Sequence, residues 1–369
     1  MPSTPSLLLT AALLSLAAAG PLAAQERLNC ASASGTIDAA SRSRLATFIA
    51  SRLEDVGSTN VPARVDEARA ALLEPLNCPD VSESFRRAFA ELAESRLASL
   101  AAADDVHQAV AALMVAGACG VPQSAEVVMR PALDEQRPPA IRFAAAQAYQ
   151  RMIAQLATDP VPERRQDAAV AAERAIGPAL TTEQHPLVAS ALLDALLEGE
   201  REFDLVYPRT LVLVAGGIET IRQRGVPRRA SEDDAAEWAR TLTRAIARLQ
   251  QPMLNPQMAS EIDRDQSVLI AGAAADGLAF VRDRLKSLPL DDAEHDALRT
   301  LVEVAEPTLG LAHRALTNDP PAGDRPLLAA FDEAIEDGGG GPFQTKLSLD
   351  WTRGVLTRPP FDFPVDRFD

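Results

Sequence analysis

IRFAAAQAYQRM, residues 141–152, decides the fold. Ile141, Ala145, Ala148, Tyr149 and Met152 recur at the spacing that lines one face of an α-helix. The same spacing returns on both sides of this stretch. Phe85, Phe89, Leu92 and Leu97 form one such stripe, and Val106, Val110, Leu113 and Met114 form another. The breaks between stripes carry start and stop chemistry. Asp80 and Ser82 precede the Phe85 helix, and Gly120-Val121-Pro122 closes one helix and opens the next. Ser231 followed by Glu232, Asp233 and Asp234 places a cap and negative charge in a first turn. Alanine and leucine dominate the composition, and both are strong helix formers. The chain is therefore expected to be all-α.

Neighbouring helices pair into hairpins that begin near Ile37, Val81, Pro122, Pro162, Asp204 and Met258. The first five are about 40–45 residues apart, which is the period of two-helix solenoid repeats. The interval to the sixth is longer. A helix pair cannot bury its apolar face alone and must stack on the next pair. The expected architecture is a right-handed α-solenoid of about six stacked helical hairpins with an irregular C-terminal tail. The segment 25–337 forms the repeat domain, and 338–369 forms a glycine-rich break followed by an aromatic and proline-rich tail.

The Ile141–Met152 helix resembles the second helix of a HEAT-like repeat. Ile141 and Arg142 stand where that helix has an aliphatic residue and an arginine. Ala145, Ala146 and Ala148 hold its small-residue face, and Tyr149 holds its large anchor. Pro131 falls in the preceding helix, where such repeats often carry a kinking proline. VASALLDALLEG at 188–199 is a copy without the arginine, and ERRQDAAVAAERAI at 163–176 is a looser one. The resemblance spans roughly residues 106–199. It implies an extended curved surface, and a protein or peptide partner is expected on the concave face.

Leu7 to Ala19 reads LLLTAALLSLAAA, an uncharged apolar run ended by Gly20-Pro21. Leu22-Ala23-Ala24 then offers small residues before Gln25. A short apolar run followed by a small-residue site is the signature of a cleaved signal peptide, here residues 1–24. The run is shorter than the ~18–20 residues of a spanning helix. It lacks a basic residue ahead of Leu7. Cys30 sits in RLNC, where a lipid-anchored protein needs apolar and small residues, so no membrane anchor is expected after cleavage. A periplasmic or secreted location follows.

The net charge of −16 disfavours nucleic acid, because phosphate neutralisation needs a basic face. An exported chain permits a disulfide, and three cysteines leave one thiol over. Cys30 and Cys78 each follow Leu-Asn and precede a predicted helix, so a bridge between them would staple the N-terminal helices. Cys119, in GACG, reads as a small buried residue.

Catalytic motifs are missing. No G-x-S-x-G elbow, phosphate loop, H-E-x-x-H zinc motif or calcium loop occurs. His107, His185, His295 and His313 are scattered, and His107 with Cys119 would give two ligands where zinc needs three or four. Asp104-Asp105, Asp233-Asp234 and Asp291-Asp292 each sit at a helix start and read as caps. Glu94-Ser95 matches the catalytic pair of lytic transglycosylases, but no Gly-Leu-Met-Gln segment follows. Arg228-Arg229 reads as a basic loop facing the Glu232–Asp234 turn. No catalytic, cofactor-binding or metal-ligating residue is assigned, and no cofactor is expected.

Three functions remain. The first is an exported, non-catalytic binding or scaffolding protein. The second is an all-helical enzyme acting on cell-wall or carbohydrate material, a reading weakened by an aromatic content of 4%, since sugar grooves are lined with rings. The third is a structural component of an envelope assembly. The tail holds Trp351, Phe361, Phe363 and Phe368, with Pro359, Pro360 and Pro364 precluding a long helix. It either covers the last repeat or offers an aromatic peptide to a partner. N-terminal sequencing of the mature protein is expected to start at or near Gln25, and an intact Met1 would remove the export assignment.

Overall fold

The computed structural model describes residue 28 and residues 30–156, 162–202, 207–223, 232–286, 289–318 and 326–368. Residues 1–24, where a signal peptide is expected, lie outside the described residues with Asp204 and Arg228-Arg229, as do the side chains of Asp233-Asp234. The described residues are mostly helical and contain no strand. In chain order the helices are α1 (Cys30–Ala33), α2 (Ala39–Ser58), α3 (Pro62–Leu76), α4 (Glu83–Ala101), α5 (Val106–Cys119) and α6 (Ala125–Leu133). Then follow α7 (Pro139–Leu156), α8 (Pro162–Thr182), α9 (Pro186–Glu202), α10 (Tyr207–Gln223) and α11 (Glu232–Leu254). The chain continues through α12 (Pro256–Ala259), α13 (Arg264–Leu285), α14 (Asp292–Thr317), α15 (Pro326–Glu336) and α16 (Gly341–Leu347).

Short polar side chains set the starts of these helices. Asp38, Ser82, Asp105 and Asp291 each accept a hydrogen bond from a first-turn amide, that of Ser41, Phe85, Gln108 and Glu294 respectively. Asp263 does so reciprocally with Gln266, closing a capping box on α13. The aspartate pairs at 104–105 and 291–292 thus supply one cap each. Gly120, at φ 61°, ends α5 in the left-handed region that glycine adopts without strain.

The helices pack in two layers. In one, α2, α4, α6, α8, α10 and α13 each touch the next in that series. In the other, α3, α5, α7, α9, α11 and α14 do the same. Contacts between the layers join α2 to α3, α4 to α5, α6 to α7, α8 to α9, and α13 to α14. The spacing placed a helix pair at Met258, but Met258 falls in the short helix α12, and the following pair opens at Arg264 instead. Pro252, inside the end of α11, and Pro256, at the start of α12, punctuate the chain there and lengthen the interval.

The stripe on α7 is buried as its spacing predicts: Ile141, Ala145, Ala148, Tyr149 and Met152 all lie in the core. On α5 the outcome differs. Val106 and Val110 are only partly buried, whereas Ala109, Ala112, Leu113, Ala116 and Gly117 are fully enclosed. Helix α5 is gripped by α3, α4 and α7, so its alanine face is covered as well. Gly117 permits the closest approach, because a Cβ there would lie 2.4 Å from the carbonyl oxygen of Ala148.

The tail is more regular than the sequence suggests. Gly338 (φ 65°) ends α15, and Pro342 is tolerated at the start of α16, where its missing amide would be unpaired anyway. Residues Ser348–Val355 continue as a π-helix, and turns carry the chain to Phe368. Only beyond Pro359 do the prolines impose an irregular path.

Gly117→Ala is expected to destabilise the protein by about 1–3 kcal/mol, the usual cost of forcing a methyl into a filled interior. Urea unfolding reads this directly, and a change below about 0.5 kcal/mol, the scale of a neutral surface substitution, would show that α5 and α7 do not meet there.

Candidate functional site

Helix α13 is buried at every position from Ile270 to Leu285, including Asp276, Arg282, Asp283 and Arg284. Buried charge is tolerated only when paired. Asp276 accepts from Arg222 Nε of α10 at 2.7 Å and from the Arg367 guanidinium at 3.1 Å. Arg367 also reaches Glu219 of α10 at 3.2 Å. Arg284 pairs with Glu294 of α14 at 2.5 Å, and Arg282 pairs with Asp283 at 3.0 Å. Burial dominates at Asp276 and pushes its carboxyl up to about 6, even though Arg367 and Arg222 act the other way and Glu219 assists.

These groups hold the segment Pro360–Phe368 in a slot across α10 and α13. Arg264 donates to the carbonyl of Pro360 at 3.0 Å, Arg222 donates to the carbonyl of Arg367, and Arg282 donates to that of Phe368. The Arg367 guanidinium lies 4.6 Å from the centre of the Phe363 ring and 5.4 Å from that of Phe368. A Cβ on Gly272 would stand 3.0 Å from Phe363, so the missing side chain makes room for the ring. Phe361 and Phe368 are buried, and Phe363 and Trp351 are half-buried. His313 stacks on Phe361 and meets Trp351 edge-on. The four tail aromatics therefore face the helices, while Asp362, Pro364, Val365 and Asp366 face water.

Among the described residues, open grooves also lie elsewhere. One, of about 430 Å³, runs between α4 and α6 over Ala98, Ala101 and Val127, with Glu94, Glu126 and Asp134 exposed at its rim. A second, of about 640 Å³, lies between α11 and α14. Arg240 and Arg244 project there from α11, both paired with Glu237 at 3.1 and 3.5 Å, and Thr243, Asp296 and Thr300 complete the lining. Arg248 extends this exposed row by one further turn. On α9, Asp194 is held above its ordinary value by burial, against the pull of Arg244 and Arg248.

Cys30 and Cys78 are joined as a disulfide, their Cα atoms 5.4 Å apart. This ties α1 to the end of α3, and Ser82, the cap of α4, donates to the carbonyl of Gly35 in the same corner. Cys119 is fully buried, its thiol donates to the carbonyl of Val115, and burial pushes it up to about 12. Such a thiol does not supply a thiolate. His107 and Cys119 sit at opposite ends of α5, roughly 18 Å apart at 1.5 Å per residue, and do not face each other. His185 and His295 stand apart from both, and among the described residues no three metal-binding side chains converge.

The arginine of the Ile141–Met152 stretch has a partner the sequence did not reveal. Arg142 is buried and ion-paired with buried Glu183, whose other oxygen accepts from the amides of Gln184 and His185 where α9 begins. Glu306 of α14 similarly accepts from Leu327 and Leu328 at the start of α15. No known protein family matches the chain, and no curated protein or solved structure is similar to it.

The Asp276 carboxyl gives a pH signature. Its folded value lies above the ordinary ~3.9 of an unfolded chain, so the folded state binds the extra proton between the two. Its contribution to stability is fully present below about pH 4 and is lost as pH rises through about 6. The stability of the wild-type chain relative to Asp276→Asn should therefore rise by roughly 1–3 kcal/mol between pH 7 and pH 4. A difference that stays flat across that range would contradict the assignment.

Proposed function

We propose that the chain is an exported, non-catalytic α-solenoid that binds a protein or peptide. In this reading the helix pairs stack as a right-handed superhelix, HEAT-like over roughly residues 106–199. The layer of α3, α5, α7, α9, α11 and α14 forms its concave face. The observation that carries the reading is the alternate-helix packing, in which each helix touches the next of its own layer. Such an array presents one long surface and little enclosed volume.

The groove between α11 and α14 is the best-equipped part of that surface. It alternates guanidinium, carboxylate and hydroxyl groups, suited to polar side chains and to the main chain of a bound segment. The carboxylates of the α4–α6 groove favour binding over hydrolysis. A glycosidase acid needs a carboxyl shielded from water, whereas Glu94, Glu126 and Asp134 are exposed.

The test is photocrosslinking from Thr243 and Thr300 in the native host, followed by mass spectrometry. One protein should be recovered from both positions, and Arg240→Glu with Arg244→Glu should weaken its capture about tenfold, or ~1.4 kcal/mol. Both arginines are exposed and their pairs with Glu237 lie at the surface, so the melting temperature should fall only slightly. Recovery of no partner from either position would sink the proposal.

A further inference from the structure

The slot that holds Pro360–Phe368 is built for recognition rather than for covering alone. Its guanidinium groups are oriented without the segment: Arg222 is held by Asp276 and Arg282 by Asp283, within and between α10 and α13. What they address is largely main chain, the carbonyls of Arg367 and Phe368, with Arg264 taking that of Pro360. Two features add sequence preference. The notch at Gly272 accepts the Phe363 ring, and the Asp276–Glu219 pair accepts the Arg367 guanidinium. Covering apolar surface requires none of this, and burying charge is costly.

The segment is anchored by buried Phe361 and Phe368 and leaves its other side chains at the surface. One edge is in water, with Val365 61% exposed. Upstream, between α15 and α16, lies the run Gly338–Gly341. A side chain added at Gly338, Gly339 or Gly341 would meet nothing within 4 Å, whereas one at Gly340 would press on Leu285 of α13, so the chain has room to change direction on either side of that one contact.

We propose that the slot also takes this same segment from a second copy of the chain, so that two copies exchange straps. The sequence known to fit the slot is the chain's own. Reciprocal exchange restores every contact that release breaks, which leaves concentration to decide the balance. The charge of −16 on each copy opposes the encounter, so association strengthens as salt screens it. This inference does not depend on the partner-binding groove, which lies between other helices.

Complementing variants test it. Phe363→Ala with Arg367→Ala spoils the strap and leaves the slot. Gly272→Leu fills the slot and leaves the strap. Mixed at about physiological salt, the two should form a one-to-one complex in sedimentation velocity, at least about tenfold tighter than either variant with itself. A mixture that sediments as monomers, while both variants keep wild-type helical circular dichroism, overturns the proposal. Should either variant fail to fold, the wild-type chain is given a synthetic peptide of residues 359–368 with benzoylphenylalanine in place of Phe363. Crosslinks to α13 around Gly272 that unlabelled peptide suppresses support the exchange. Absent or scattered crosslinks overturn it.

Discussion

An alanine-rich helix exposes too little apolar surface to be stable alone, and the rest of this structure depends on how that shortage is met. Each alanine contributes little buried area, so the helices must approach closely and be covered on more than one side. Gly117 brings α5 against the backbone of α7, and α5 is gripped by three neighbours. The demand is greatest at α13, where sixteen successive residues, Ile270–Leu285, are buried. A helix so enclosed has no wet face, and every charge it carries must find a partner inside.

Those partners do more than neutralise charge. Asp276 draws Arg222 and Arg367 together, and through them fixes where the final segment lies. Arg142 orients Glu183, whose carboxylate accepts from the amides of Gln184 and His185 in the link between α8 and α9. Glu306 of α14 accepts from the first amides of α15, those of Leu327 and Leu328. At α15 a carboxylate from one helix satisfies the start of another, which is favourable because unpaired amides and the positive helix end coincide there. Apolar stacking permits many relative placements of smooth helices. These charge-assisted bonds select one.

The two ends of the array are closed by different means. At one end the Cys30–Cys78 bridge and the bonds of Ser82 hold α1 against α3 and α4. At the other, the folded-back segment lies across α10 and α13, held by guanidinium groups and by rings. The first closure is covalent, and the second rests on interactions that water or another copy of the same peptide can replace. On the proposed exchange the second end can pass between copies, whereas the first stays a fixed staple.

The amino-acid sequence by itself determined the all-helical build, many of the helix starts and the α7 stripe. These depend on residues within a few positions of one another: Asp105 caps a helix it adjoins, and Ile141 to Met152 fall on one face by spacing alone. Periodicity failed where contacts come from several sides, as at α5, where it marked Val106 and Val110 and passed over Ala109 and Ala116. It also placed a helix pair at Met258, because a four-residue helix leaves almost no periodic trace. The slot was not legible at all. The tail aromatics stand out in the sequence, but Arg222, Gly272, Asp276 and Arg282 do not, since nothing local marks a glycine as a notch or an aspartate as a shared anchor. Arg222 and the carbonyl of Arg367 are 145 positions apart in the chain. Only the stacking of the helices brings them within reach, and only burial makes their pairing obligatory.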